Sequence, residues 1–465
     1  AGACLPGPFD SARGKKVVSM TTPAFSEAAS IACLFFIFLT PLALTGLSLI
    51  NVGLGRSRSA AHMLMASLIA LSVAGLIYFA FGFGWQGFIG GPAHVLTFSG
   101  KPWNWIAAEP FFFRKLALDG SPAFLSALLQ VFCVGLAALI PLGSGADRWR
   151  LRASCLSTAI LAGWTYPLFA HWVWAGGWLA QLGANYGLGH GFLDAGGAGA
   201  IHVVGGLTAL SITWILGPRR GKYSGDGMAP AIPGHNAVLI LFGCLLALIG
   251  WFGLNSAGAI LFLGGAPSGS ALIAMNTLLE AAAAALTAAF ITNIRFGKPD
   301  ASLTANGWVA GLVASSATCA FVVPAEAVVI GSIAGVIVTF SIEWFELRLE
   351  VDDPGGAVSV HAIGGLWGLL AVGIFGRFPA PIWNIAREST SAAAGDSGQW
   401  LAQLIGVATL LGFVLPLTYG INWLLNRIYP YRVSVEGERQ GLDLHELGAG
   451  AYPEFVTHTE DFIPR

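Results

Sequence analysis

The chain writes one phrase twice, Ile201-His202-Val203-Val204-Gly205-Gly206-Leu207 and Val360-His361-Ala362-Ile363-Gly364-Gly365-Leu366, each with an aspartate, Asp194 or Asp353, eight positions before its histidine. The residues around both histidines are apolar, and a buried polar ring is costly unless it has a partner or a task. Taken alone, either phrase reads as a close helix crossing at small residues with an incidental histidine. Two copies with matching aspartates point instead to two imidazoles at equivalent places in two halves, facing each other inside a hydrophobic protein. The glycine pairs allow backbones to approach closely or leave room for a channel. Each aspartate stands just ahead of its helix, where a carboxylate can cap free N–H groups. Asp353 is expected to cap; Asp194, alone in an uncharged loop, either caps or shapes a cation vestibule.

Of 465 residues, 55% are hydrophobic and 10% charged, too few polar side chains to cover a soluble surface. The expected fold is therefore an all-α polytopic membrane protein. About 20 apolar residues are needed per crossing, and that ruler predicts eleven transmembrane helices centred near Ile37, Ala70, Cys133, Ala162, Leu207, Cys244, Ala282, Leu312, Ala334, Leu369 and Leu411. Basic residues crowd the odd-numbered connections, as at Arg56 and Arg58, Arg148 and Arg150, Arg219 to Lys222, Arg295 and Arg348, while the connections after the fourth, sixth and eighth spans have none. The positive-inside rule then makes the odd connections cytoplasmic, with the N-terminus outside and the tail from Arg427 inside; Lys15, Lys16, Lys101, Arg114 and Lys115 are the minority exceptions. Three regions result: an extracellular N-terminal segment over 1–22, a membrane domain over 23–428 and a cytoplasmic tail over 429–465. Arg13, Lys15 and Lys16 precede no apolar core within the first 20 residues, so this segment does not read as an intact signal peptide.

His202 falls in the fifth span and His361 in the tenth. Five helices separate the copies, and an odd number of crossings turns one over relative to the other, which predicts an inverted repeat of helices 1–5 and 6–10. Such repeats place a substrate site near the midplane, at the pseudo-two-fold interface.

Other chemistries find less support. A formal charge of −1 without a basic stripe argues against nucleic acid. The six cysteines form no CxxC pair and all but Cys4 lie in apolar stretches, as packing residues do. A metal site or metalloenzyme built on His202, His361 and the aspartates would want more convergent ligands than Val, Ile, Gly and Leu neighbours supply, so neither metal nor cofactor is expected, and no enzymatic activity. Glu280, Glu343 and Glu346 are expected to be buried carboxylates with structural roles, and His171 and His190 to serve the loop at the outer end.

From about Thr40 to Tyr452 the chain resembles the ammonium transporter family, the Amt/Mep/Rh proteins. The resemblance rests on Ala170-His171-Trp172-Val173-Trp174-Ala175-Gly176-Gly177, the Asp194 to His202 spacing, Gly250-Trp251-Phe252-Gly253-Leu254-Asn255, Val351-Asp352-Asp353-Pro354 leading to His361, and a tail from Gly441-Leu442-Asp443 to Ala451-Tyr452. It implies a homotrimer with one pore per subunit. It makes His202 and His361 the twin pore histidines, hydrogen-bonded edge to edge, and Trp174 the outer capture residue, with Asn255 in the adjoining motif. Neutral imidazoles can satisfy one another as donor and acceptor and leave their outer edges to a small guest.

The sequence departs from the family near the capture site. Gly258 replaces the usual serine, Leu254 the usual gate phenylalanine, and Leu129 is aligned with its partner on the third span. In the tail, Leu447 and Ala449 replace a common histidine and glutamate. The resemblance therefore implies recruitment of ammonium outside and passage of ammonia inward, with an ammonium sensor of the same fold, weakly conducting or closed and signalling through its tail, as the alternative. A PII-type or other signalling partner at the cytoplasmic side is implied by analogy.

Overall fold

A computed structural model describes residues 25–223, 229–378 and 398–452; the expectations for residues 1–22 and for the tail beyond Tyr452 lie outside the described residues. The long helices are α1 Glu27–Leu54, α2 Ser57–Gln86, α3 Pro122–Ser144, α4 over 151–174, α5 Ala198–Leu216, α6 Ala237–Leu263, α7 Pro267–Phe296, α8 Ala301–Thr318, α9 Pro324–Arg348, α10 Val358–Phe375 and α11 Gln399–Ile428. Among the described residues, nine of these are long and apolar enough to cross a membrane, all except α4 and α8. Every centre read from the sequence lies in one of these helices. The protein is a multi-pass helical membrane protein.

Local signals explain several boundaries. Ser26 accepts the Ala29 N–H at the start of α1, Asn236 that of Leu239 at α6 and Asp300 that of Leu303 at α8, satisfying donors that the first turn leaves free. Gly264 and Gly297 close α6 and α7 in the left-handed region, at φ +69° and +76°. One element was not anticipated. Between α2 and α3, strands β1 Ala93–Phe98 and β2 Lys101–Ala107 form an antiparallel hairpin, turning at Ser99 and Gly100, which both have positive φ as a two-residue hairpin turn requires.

The helices pack through close backbone contacts rather than large side chains. Where α6 crosses α1, a Cβ built on Gly250 would lie 1.9 Å from the Ala43 nitrogen, so only glycine fits. With lipid as solvent, such van der Waals contact replaces the hydrophobic drive available in water.

One end of the molecule gathers its buried charges. The Arg219 guanidinium grips both carboxylate oxygens of Asp352, each at 2.9 Å, and reaches Asp147 at 3.2 Å. Arg148, fully buried, donates to the carbonyls of Ala146, Gly217 and Asp352. Burial by itself would raise the Asp352 carboxyl, but the Arg219 and Arg148 guanidiniums pull it down to about 2. The chain after α11 is built into this end. Asp443 accepts the N–H groups of Ala61 and His62 near the start of α2, Glu446 accepts that of Leu151 at the start of α4, and Glu438 accepts from Arg432 and from the Arg220 N–H. Glu343 and Glu346, expected to be buried within spans, instead reach this end of α9, are only partly covered, and pair with Arg295 and Lys222.

Two outcomes follow for the fold. Gly250→Val should destabilise the α1–α6 crossing by about 1–3 kcal/mol, the usual cost of overpacking, read as a lowered thermal midpoint in detergent. Asp352→Asn should cost about 3–5 kcal/mol, because it strands a buried guanidinium. The Asp352 carboxyl is held below its unfolded value, so its contribution is complete above about pH 4 and is lost as pH falls through about 2; a pH series of midpoints should show this acid limb in the wild type and a weaker one in the variant.

Candidate substrate site

The two histidines meet. Their Nδ1 atoms lie 3.3 Å apart, with ring centroids separated by 5.3 Å and planes inclined at 24°. Both are buried, His202 at 0% and His361 at 2% exposure. Two facing nitrogens can share only one proton, so one Nδ1 donates and the other accepts. Among the described residues the buried Nε2 edge of His202 has no partner, and its ring is stacked on Trp251 at 5.2 Å and 7°.

Local backbone and a reciprocal crossing bring the rings together. Each histidine sits in a π-helical turn, Ala198–Val203 or Val358–Ile363, at the start of its helix. Such turns widen the helix by one residue and are frequent at functional sites. The glycine pairs then interlock. A Cβ on Gly206 would lie 2.4 Å from the Ala362 nitrogen, and one on Gly365 would lie 2.8 Å from the Ala198 carbonyl oxygen. Each π-turn is thus seated against the other repeat's glycine.

Both aspartates cap. Asp194 accepts the N–H groups of Gly197, Gly199 and Ala200 at 2.9–3.0 Å, while Asp353 accepts the Val358 N–H and the Ser144 hydroxyl, each at 2.7 Å. Of the two readings open for Asp194, the geometry is that of a cap, and it does not line the neighbouring cavity.

That cavity, of about 80 Å³, lies beside Trp174 and Phe262 and is lined also by Tyr78, Gln86, Ser126 and Gln130. At about 30 Å³ per water it has room for a small cation with a water or two. Trp174 donates from Nε1 to the Asp194 carbonyl at 2.8 Å and is stacked on Phe262 at 4.3 Å and 16°, so one indole face is covered. Tyr78 donates to the Gln86 amide oxygen at 2.9 Å, and Tyr166 donates to that of Gln130. These glutamines and tyrosines were not singled out from the sequence: they come from α2, α3 and α4 and belong to no repeated phrase.

The departing residues are placed as follows. A Cβ on Gly258 would lie 2.6 Å from the Ala195 carbonyl oxygen, so no side chain fits there. Leu129 and Leu254 are fully buried, and neither lines the cavity. Asn255 donates to Thr277 and Ser315, tying α6 to α7 and α8. His171 bridges the Gln86 carbonyl and Asn104, fastening β2 to α4, as expected of a loop-serving histidine. Among the described residues no cluster of three His, Cys, Asp or Glu could hold a metal ion.

A family model described as the Ammonium Transporter Family matches residues 29–452. The chain is 38% identical over 430 residues to the ammonium transporter Amt2 of Archaeoglobus fulgidus, covering 91% of this chain and 88% of that protein. It is 30% identical over 421 residues to ammonium transporter 1 member 1 of Solanum lycopersicum, covering 88% and 83%. Among solved structures, one titled Sensor Amt Protein superposes with a TM-score of 0.78 at 27% identity, covering 90% of this chain and 97% of that one. Mep2 of Saccharomyces cerevisiae superposes with a TM-score of 0.74 at 24% identity, covering 89% of each, and bears on the fold alone. With nearly the whole chain matched by the family and by relatives of similar length, this protein belongs to the ammonium transporter family.

Proposed function

We propose that the protein conducts ammonia through a pore whose narrow part is the His202–His361 pair, after recruiting ammonium at the Trp174 cavity. The observation that carries the reading is the edge-to-edge pair itself, buried among apolar residues with the His202 Nε2 edge unpartnered. A bare cation in such surroundings costs several kcal/mol or more, whereas neutral ammonia needs only hydrogen bonds. Ammonium therefore sheds its water and its proton before the pair, and the imidazoles receive ammonia with their free edges.

Recruitment here is assigned to acceptors other than the family's serine. The second lone pairs of the Gln86 and Gln130 amide oxygens, with the Ser126 hydroxyl, line the cavity and can replace part of a hydration shell. The exposed part of the Trp174 ring adds about 0.5–2 kcal/mol of cation–π attraction.

The architecture that goes with this reading counts α4 and α8 as crossings, giving eleven spans with helices 1–5 and 6–10 as an inverted repeat, in a homotrimer. The matched π-turns, caps and interlocked glycines support the repeat. The loops rich in arginine support an outside N-terminus, a cytoplasmic charged end and a plasma or inner membrane location. The tail over 429–452 then packs at the cytoplasmic face, where a PII-type or other signalling partner would find it.

A second reading is an ammonium receptor that binds without appreciable flux. The likeness to a structure titled Sensor Amt Protein and the Phe262 ring stacked over Trp174 favour it. In proteoliposomes, methylammonium uptake that falls about tenfold or more in His202→Ala and His361→Ala, a loss of at least about 1.4 kcal/mol, supports conduction; tight ammonium binding with no uptake above empty vesicles establishes the receptor instead. On either reading Trp174→Leu should weaken ammonium binding about two- to thirtyfold, measured by calorimetry or by the concentration dependence of uptake.

A further inference from the structure

Glu280 lies within α7, fully buried. Its backbone is clasped from two sides: a Cβ on Gly311 of α8 or on Gly331 of α9 would fall 2.3 Å from the Glu280 carbonyl oxygen. Ala284, Ala314, Val322 and Ile330 form an apolar cluster in the same three-helix junction. Among the described residues no Lys or Arg pairs with it. Its side-chain partner is the Thr318 hydroxyl, 2.6 Å from Oε1, and the buried Oε2 has no partner among the described residues.

Counting protons favours one form of this group. The Thr318 oxygen also lies 3.2 Å from the Ala314 carbonyl oxygen, and one hydroxyl proton cannot serve two acceptors. If Glu280 is a carboxylic acid, its O–H donates to Thr318, and Thr318 donates to Ala314; both contacts are satisfied. Position argues the same way. Thr318 is the last residue of α8, where free carbonyls carry the negative end of the helix dipole. One turn earlier on α7, Asn276 donates to the carbonyls of Cys319 and Val322 at 2.9 and 2.8 Å, sealing a turn whose residues 319–322 are fully buried. A carboxylate facing that end would be repelled by the dipole, whereas a neutral acid is not.

The same turn of α8 reaches the histidine site. Ser316 accepts the Trp251 indole N–H at 3.1 Å, and Trp251 is the ring stacked on His202. The Ser316 carbonyl accepts the Gly196 N–H at 2.5 Å, in the loop that leads to Ala198.

We propose that Glu280 is an intramembrane proton-binding site, holding a proton at neutral pH and locking with it the C-terminal turn of α8 that seats Trp251 against His202. Loss of that proton leaves a carboxylate against the negative end of α8, which loosens the turn that seats Trp251. Among the described residues the groups set against Glu280 carry no positive charge: the Thr318 hydroxyl and the Cys319 thiol at the end of α8, and the backbone of Gly311 and Gly331. Glu326 of α9 is turned to Arg377 instead.

Infrared spectra of the full-length protein in lipid, at neutral pH in light and heavy water, test this directly. Wild type should show a carboxylic acid C=O stretch that shifts in heavy water and is missing in Glu280→Gln. A Glu280 that contributes only carboxylate bands overturns the proposal. Stability gives a second readout. Glu280→Gln keeps a donor without charge and should unfold within about 2 °C of wild type, whereas Glu280→Ala should unfold clearly earlier; a glutamine variant as unstable as the alanine one, or unable to fold, overturns the proposal as well. Neither readout involves ammonium, so its outcome is separate from the question of flux.

Discussion

Everything at the centre of this protein depends on keeping two imidazoles in contact deep among apolar side chains. A lone buried histidine would leave two polar edges unsatisfied; a pair satisfies one edge of each. The contact requires α5 and α10 to cross at backbone distance, which only Gly206 and Gly365 permit. It also requires each ring to leave its helix at the right angle, which the π-turns provide. The aspartate caps fix where those turns begin.

The surroundings of the pair are not symmetric. On one side Trp251 covers His202, and toward Trp174 a small cavity is walled by Gln86, Gln130, Ser126 and Tyr78 rather than by residues of the repeated phrase. Gly258 is explained by the Ala195 carbonyl pressed against it; no hydroxyl could stand there without moving the loop that carries the Asp194 cap. The glycine at this position thus follows from packing, while amide and hydroxyl acceptors line the cavity from other helices.

Polar groups elsewhere are joined in two layers, one at the charged end and one within the helices. At the charged end, Arg219 joins Asp147 to Asp352, and the chain after α11 joins the same layer through Glu438, Asp443 and Glu446. The tail is therefore part of the folded body over its described residues, not a loose end. Within the helices, Asn255, Asn276 and Glu280 tie α6, α7 and α8 together, and bonds from the end of α8 reach Trp251 at the histidine site.

The sequence by itself determined the class of the protein, the places of its helices and the identity of the histidine pair, because hydropathy and a repeated pattern are local properties that survive in one dimension. It also placed Asp353 as a cap, since capping acts over a few residues. Only the tertiary structure decided that Asp194 caps too, that Leu129 and Leu254 lie away from the Trp174 cavity, and that Gln86, Gln130 and Tyr78 line it. Those outcomes depend on which faces of distant helices meet. The π-turns were equally hidden: one extra residue per turn leaves no mark in composition, and the reciprocal glycine contact that needs it exists only once both repeats are folded together.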